Sequence, residues 1–158
     1  MTNTTTGDIK FFYTELDKAD ITVSGSDLIR DAGLETAVTL ILGTNRRASD
    51  NDILPTPTSD PGGWWADKVL FGSDFGTKLW LLGRSSITDS VLNDAAGYVK
   101  EGLEDLVKDG IISSVTVAAA KSQTKVNTVN FSIQLTRKQK LSLKFRFSWN
   151  FSQQIFGG

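Results

Sequence analysis

The chain has no cysteine and no histidine in its 158 residues. The first absence excludes a disulfide scaffold, a thiol nucleophile and thiolate metal sites. The second removes the usual general base, the commonest zinc ligand and the side chain that changes charge near neutral pH. An enzyme built from this sequence would have to work with carboxylates, lysine or tyrosine alone. Proline is scarce too, and all three prolines fall together, at Pro55, Pro57 and Pro61. No apolar run approaches the roughly 20 residues that span a bilayer. Met1 to Gly7 is polar and uncharged and lacks both regions of an export signal, so the expectation is a protein made in the cytoplasm with no export signal of its own.

Acid is missing from one end. Residues 1 to 120 carry 10 lysines and arginines against 18 acids, a net −8. Residues 121 to 158 carry Lys121, Lys125, Arg137, Lys138, Lys140, Lys144 and Arg146 and no acid, a net +7. Either the basic end compensates the acidic body of the same chain, or it meets an acidic partner. Apolar residues at 39% and charged residues at 22% fit one globular domain, residues 1–158, large enough to bury a core.

Periodicity divides that domain into three parts. In residues 1–30, Ile9 to Tyr13 and Ile21 to Val23 are short β-prone runs, a hairpin or two small edge strands. Residues 31–110 hold two helices and a long loop. Leu34, Ala37, Val38, Ile41 and Leu42 recur at helical spacing, and Arg46 and Arg47 follow, where positive charge complements a helix C-terminus. Thr88-Asp89 is a good helix start, Leu92, Ala95, Ala96, Val99, Leu103, Leu106 and Val107 trace an apolar stripe, and Gly110 supplies a left-handed stop. Residues 111–158 read as a basic β-meander of three strands. Val115 and Val117 alternate with polar neighbours, and Val129 to Leu135 alternate without a break. Leu141 to Trp149 set Leu143, Phe145, Phe147 and Trp149 against Ser142, Lys144, Arg146 and Ser148. The class is α+β: two amphipathic helices on a small, mainly antiparallel sheet.

The loop between the helices is the unusual part. Residues 48 to 63 exceed the ordinary length of a connection inside a compact domain. They end in Gly62-Gly63-Trp64-Trp65-Ala66-Asp67, and Trp80 follows in Leu79-Trp80-Leu81-Leu82. Loops normally shed large aromatics. The tryptophans therefore suggest a loop clamped onto its own domain, or onto a partner.

Other motifs point to no chemistry. Asp50, Asp52 and Asp60 lack the glycine and terminal glutamate of a calcium loop, so no metal site is expected. Glu101, Glu104 and Asp105 lie on the polar side of the second helix and read as a solvated face. An RNA-binding sheet would expose aromatics, whereas Phe145 and Phe147 share the buried parity, so no nucleic acid is expected. A cell-wall glycosidase needs two carboxylates about 5–10 Å apart. Only Asp67 neighbours the aromatic cluster, and no second acid accompanies it.

Leu34-Glu35-Thr36-Ala37, Asn45-Arg46-Arg47-Ala48, Gly63-Trp64-Trp65-Ala66-Asp67, Leu79-Trp80-Leu81-Leu82 and Val107-Lys108-Asp109-Gly110 follow one another in order. Over roughly residues 20 to 120 the series resembles the small baseplate wedge protein of Mu-like contractile-tailed phages, which is related in fold to the wedge-core subunits of other contractile tails. Gly83 departs from the pattern, where a larger residue is expected. The resemblance implies a structural, non-enzymatic virion protein with no cofactor, placed in the tail baseplate after assembly in the host cytoplasm. It implies joining two copies of a larger wedge protein, offering a strand edge to the tail sheath protein, and a place near the central hub or tube, with no membrane contact. The partner-binding residues that follow are Arg46, Arg47, Trp64, Trp65, Asp67, Trp80, Arg84, Lys140, Lys144 and Arg146. A lysozyme-like activity is the alternative.

Overall fold

Short β-prone runs at the N-terminus pair among themselves. In the computed structural model, β1 (Asp8–Ile9) pairs antiparallel with β6 (Arg30–Asp31), enclosing β2 (Phe11–Tyr13) with β3 (Ala19–Ile21) and β4 (Val23–Ser24) with β5 (Asp27–Leu28). The structure describes side chains for residues 34–56, 60–67, 69, 74–137 and 142–152, and the backbone alone of these N-terminal strands and of 155–157.

The first helical stripe forms α1 (Glu35–Gly43), which is wrapped more completely than a two-sided helix would be. Val38, Ile41 and Leu42 are buried as expected, and Thr36 and Thr39 join them from the flanks. The second stripe forms α2 (Asp89–Lys108), capped at both ends by its own sequence. The Thr88 hydroxyl accepts the Val91 N–H at 3.3 Å, and Asp89 lies in the first turn. At the other end Gly110 has φ +72, and the N–H groups of Gly110 and Ile111 donate to the carbonyls of Val107 and Leu106. Those two bonds satisfy carbonyls that a helix end leaves open, and the left-handed residue they need is most easily glycine. Between the helices, a 3-10 turn at Leu79–Leu82 buries Leu79, Leu81 and Leu82.

The alternating runs form β7 (Ser114–Lys121), β8 (Thr128–Thr136) and β9 (Ser142–Asn150), an antiparallel meander in unbroken register. A fourth strand, β10 (Ile155–Gly157), pairs with Ser148 to Asn150 of β9, giving the order β10-β9-β8-β7. Three strands were expected, and β10 is too short for alternation to reveal it. Cross-strand rows such as Val115–Leu135–Leu143 and Val117–Ile133–Phe145 make the inner face. The opposite rows, such as Thr116–Gln134–Lys144 and Ala118–Ser132–Arg146, face outward, as the parity required.

Val129, Phe131, Ile133, Leu135 and Trp149 of the sheet join Ala95, Val99, Leu103 and Leu106 of α2, Val38, Ile41 and Leu42 of α1, and Leu79 and Leu82 in a single core. Trp149 meets Phe151 edge to face at 4.6 Å. Among the described residues no helix is long and apolar enough to cross a membrane.

Two glycines of α2 test how tightly α2 sits. A Cβ at Gly102 would lie 2.6 Å from the Gly76 carbonyl oxygen and 2.9 Å from Thr77 Cγ2, whereas one at Gly97 would meet nothing within 4 Å. Alanine is ordinarily the better helix former by about 1 kcal/mol. Gly97→Ala should therefore stabilise by up to about 1 kcal/mol, and Gly102→Ala should destabilise by roughly 1–3 kcal/mol through overpacking. Urea unfolding of the two variants beside the parent measures the opposite signs.

Candidate functional site

Beyond α1 the chain turns into extended backbone at Thr44 and lies beside residue 77, with the Arg46 N–H donating to the Thr77 carbonyl and the Thr77 N–H to the Thr44 carbonyl, each at 2.9 Å. This places Arg46 over the polar side of α2. One of its terminal nitrogens, Nη2, donates to Asp105 Oδ2 and to the Asp74 carbonyl at 2.8 Å each, and Nη1 donates to the Glu101 carbonyl at 3.4 Å. Lys108 meets the other oxygen of Asp105 at 2.7 Å. Arg46 is buried, so its charge is kept by this set of acceptors; the planar fork reaches several at once, as a lysine could not. The guanidinium thus serves α2 and not the C-terminus of α1.

A second ion pair fastens the loop itself. The Asp52 carboxylate accepts the N–H and hydroxyl of Ser49 at 2.7 and 2.6 Å and pairs with Lys78 at 2.9 Å, and Lys78 also lies 3.7 Å from Glu101. Burial alone would push the Asp52 carboxyl up, but the Ser49 bonds and Lys78 outweigh it and hold it below the usual range. Burial likewise works against the Lys78 charge, and the bond to Asp52 with the nearby Glu101 raises it above the ordinary lysine value. Glu101 and Asp105 are therefore receptors for Arg46 and Lys78, and the expectation of a merely solvated face is corrected. The Ser49-x-x-Asp52 spacing was a readable turn signal. The link to Lys78 had none.

The tryptophans divide. The Trp80 indole N–H donates to the Arg46 carbonyl at 2.8 Å, and its ring lies against Gly62, where a Cβ would approach Cζ2 to 3.0 Å. Gly63 has φ +99, and a side chain there would strike the Arg47 Cβ at 2.8 Å; Arg47 in turn donates to the Gly62 carbonyl at 3.2 Å. The Ala48 N–H donates to the Pro61 carbonyl at 2.8 Å and closes the loop at its base. Trp64 and Trp65 lie beyond this closure with ring centroids 6.0 Å apart, Trp65 being 83% exposed and Trp64 37%. Ile53 and Val69 are also exposed. Asp67 is buried and accepts the N–H groups of Trp64 and Phe75 at 3.1 and 3.2 Å, so it shapes the turn that presents the pair.

Arg46, Asp67 and Trp80 are thus interior supports of the loop, and Arg47, Trp64 and Trp65 form its outward rim. Arg84 is exposed just after the 3-10 turn. Lys144 and Arg146 are exposed on the outward face of β9, turned away from α2, and do not join the loop residues. Lys140 lies outside the described residues. Among the described residues, no ion pair joins a base beyond residue 120 to an acid.

The phage protein GP46 family model matches residues 34–142, which begin at α1 and run through β8 to the start of β9. The chain belongs to that family. It is similar to the baseplate protein gp46 of Escherichia phage Mu, with 41% identity over 102 residues, 65% of this chain and 70% of that protein. It is also similar to the Mu-like prophage FluMu protein gp46 of Haemophilus influenzae, with 29% identity over 133 residues, 84% of this chain and 91% of the relative. The resemblance read from the motif series is borne out, and with it a structural place in the virion, at the tail baseplate. Nothing in these similarities supports a lysozyme-like activity, and Asp67, its one acid candidate, is occupied by two backbone N–H groups.

The split among the tryptophans can be measured. Trp80→Ala removes a packed ring and its hydrogen bond and should cost about 3 kcal/mol of stability, whereas Trp65→Ala should change stability by less than about 0.5 kcal/mol; thermal melts of both variants decide it. The Asp52–Lys78 pair sets a pH window. A depressed carboxylate pKa contributes stability that is present above its unfolded value and lost as pH falls through the folded one, here below about pH 4. The raised Lys78 contribution is complete below about pH 10 and lost above it. Limited proteolysis within residues 48–61 should therefore be flat from about pH 5 to 9 and accelerate below about 4, and Asp52→Asn should show the faster rate already at neutral pH.

Proposed function

We propose that this protein is a wedge subunit that acts by assembly alone, joining two copies of a larger wedge protein through the tryptophan loop and offering the β9 edge to the tail sheath. The observation that carries the first contact is Trp65, 83% exposed on a loop whose base is fixed by Arg46, Trp80 and Asp52. An exposed indole on a pre-shaped support is the usual form of an interface anchor. Arg47, with an exposed guanidinium beside it, supplies a bond to a carboxylate or carbonyl of the larger subunit.

The second contact is supported by β9. β10 covers only Ser148 to Asn150, so among the described residues no strand lies on the outer side of Ser142 to Phe147. Backbone groups left open on an edge are a template for another chain. Lys144 and Arg146 on the outward face would steer an acidic strand onto it and fix its register. The central hub or tube is a further neighbour under this reading, and neither nucleic acid nor membrane has a part.

Lys144→Glu with Arg146→Glu should give a subunit that melts like the parent, enters the wedge and nucleates sheath poorly, at least about tenfold fewer sheathed tails by electron microscopy. Trp65→Ala should fold and fail one step earlier, at incorporation into the wedge. Normal sheath yield from the first variant removes the β9 contact; normal incorporation of the second removes the loop contact.

A further inference from the structure

Ile53 and Val126 are exposed at 90% and 83%, yet each stands on backbone that hydrogen bonds have fixed. Val126 lies in the turn between β7 and β8. There the Ser122 hydroxyl accepts the Thr124 and Lys125 N–H groups at 3.4 and 3.2 Å. The Asn150 amide donates to the Val126 carbonyl at 3.3 Å, and the Phe151 N–H to the Asn127 carbonyl at 2.8 Å. Asn127 takes φ +51, and its side chain bonds the Ser152 hydroxyl at 2.9 Å. Lys121 and Lys125 are exposed in the same turn, and among the described residues no carboxylate pairs with either. The turn thus presents one apolar side chain and two free cations in a set shape.

A surface of the opposite kind lies where the loop crosses α2. Gly97 is exposed in the middle of that helix, and a Cβ there would meet nothing within 4 Å. Alanine would serve the helix better by about 1 kcal/mol, and among the described residues no neighbour requires glycine. A helical glycine with no internal reason leaves bare backbone for something that approaches closely from outside. Asp94 and Glu101 share its face, three residues before it and four after. Glu101 is engaged by Lys78, whereas Asp94 pairs with no base among the described residues. The Tyr98 hydroxyl, beside Gly97, is held above its ordinary value by burial and then by the carboxylates of Asp52 and Asp94, with Lys78 opposing. Both carboxylates therefore reach this part of α2, and Ile53 follows Asp52 in the chain.

We propose that the β7–β8 turn of one copy of this chain docks on the α2 surface of a second copy, with Val126 over Gly97 beside Ile53 and Lys125 paired with Asp94. Charge complementarity selects a copy as the occupant. Residues 1 to 120 carry 10 bases against 18 acids and residues 121 to 158 carry seven bases and no acid, so one sequence supplies both halves of the contact. Within a single molecule the halves do not meet, since among the described residues no base beyond residue 120 pairs with an acid. Turn and seat are different surfaces, so a copy that accepts one turn can offer its own to a third. The contact uses neither Trp65 nor the β9 edge and stands or falls apart from the two contacts proposed above.

The lack of cysteine makes the test direct. Purified Ile53→Cys and Val126→Cys chains are mixed, oxidised and followed on non-reducing gels. The mixed disulfide should form at least about tenfold faster than either like-with-like dimer, because docking raises the local concentration of that pair alone. The advantage should shrink as salt is added. Asp94→Lys in the Ile53→Cys chain should abolish it, and Lys125→Glu added to the Val126→Cys chain should then restore it. Gly97→Gln in the Ile53→Cys chain should abolish it as well while raising the melting temperature, which separates a docking seat from a structural glycine. Every substituted position is exposed, so each variant should melt at or above the parent. The inference is overturned by equal rates for the three disulfides, by an Asp94→Lys loss that Lys125→Glu does not restore, or by a Gly97→Gln chain that cross-links as before.

Discussion

The arrangement of the loop turns on the guanidinium of Arg46. Through its side chain it holds the carbonyls of Asp74 and Glu101 and the carboxylate of Asp105, and through its backbone it bonds to residue 77 and to the Trp80 indole. Three stretches distant in sequence, at 46, 74–80 and 101–105, thus meet around one buried charge. A charge withdrawn from water costs several kcal/mol unless its acceptors are well placed, so this node tolerates little displacement in any of the segments. That intolerance defines the loop. Few apolar side chains anchor residues 48 to 63, and hydrogen bonds to fixed points do the work that a core would do elsewhere.

A division of roles follows between the inside and outside of the loop. Trp80 and Asp67 face inward, one bonding a carbonyl and the other collecting two N–H groups, and together they leave the Trp64-Trp65 turn with a single shape. Binding costs less when the binding group is already ordered, because the conformational entropy has been given up during folding. In the contact proposed for Trp65, a flexible loop carrying the same indoles would lose affinity to ordering. Gly62 and Gly63 make the tight closure possible, since a side chain at either position would press on Trp80 or Arg47.

Some of this was legible in the sequence. α2 could be read end to end because its signals are local: the Thr88 cap, the stripe from Leu92 to Val107 and the left-handed Gly110. β8 and β9 were legible by strict alternation, which fixes the face of every side chain once one is known. The role of Glu101 and Asp105 was not, because two acids one turn apart on the polar side of a helix look the same whether they face water or an arginine 55 or 59 residues away. The tryptophans show the same limit. Composition and spacing mark an aromatic cluster, but the inward turn of Trp80 and the exposure of Trp65 depend on the Arg46 carbonyl and the glycine pair, which only the tertiary structure brings together. Thr36 and Thr39 were hidden for a related reason: α1 is covered on flanks that a polar residue marks as exposed.

The charge division acquires a meaning from the same geometry. Attraction between surface charges is largely screened beyond about 8 Å at physiological salt. The inner face of the sheet packs on α2, and Glu101, Glu104 and Asp105 of α2 meet Arg46, Lys78, Lys100 and Lys108, all from the first 120 residues. Lys144 and Arg146 stand on the far face of the sheet with no acid of their own chain within bonding distance among the described residues. With the sheet between them, the described acids of α2 and the bases of β9 do not meet. Each presents its own sign to whatever lies next to it. For Lys144 and Arg146 the described residues offer no internal compensation, which favours the second of the two readings that the sequence left open.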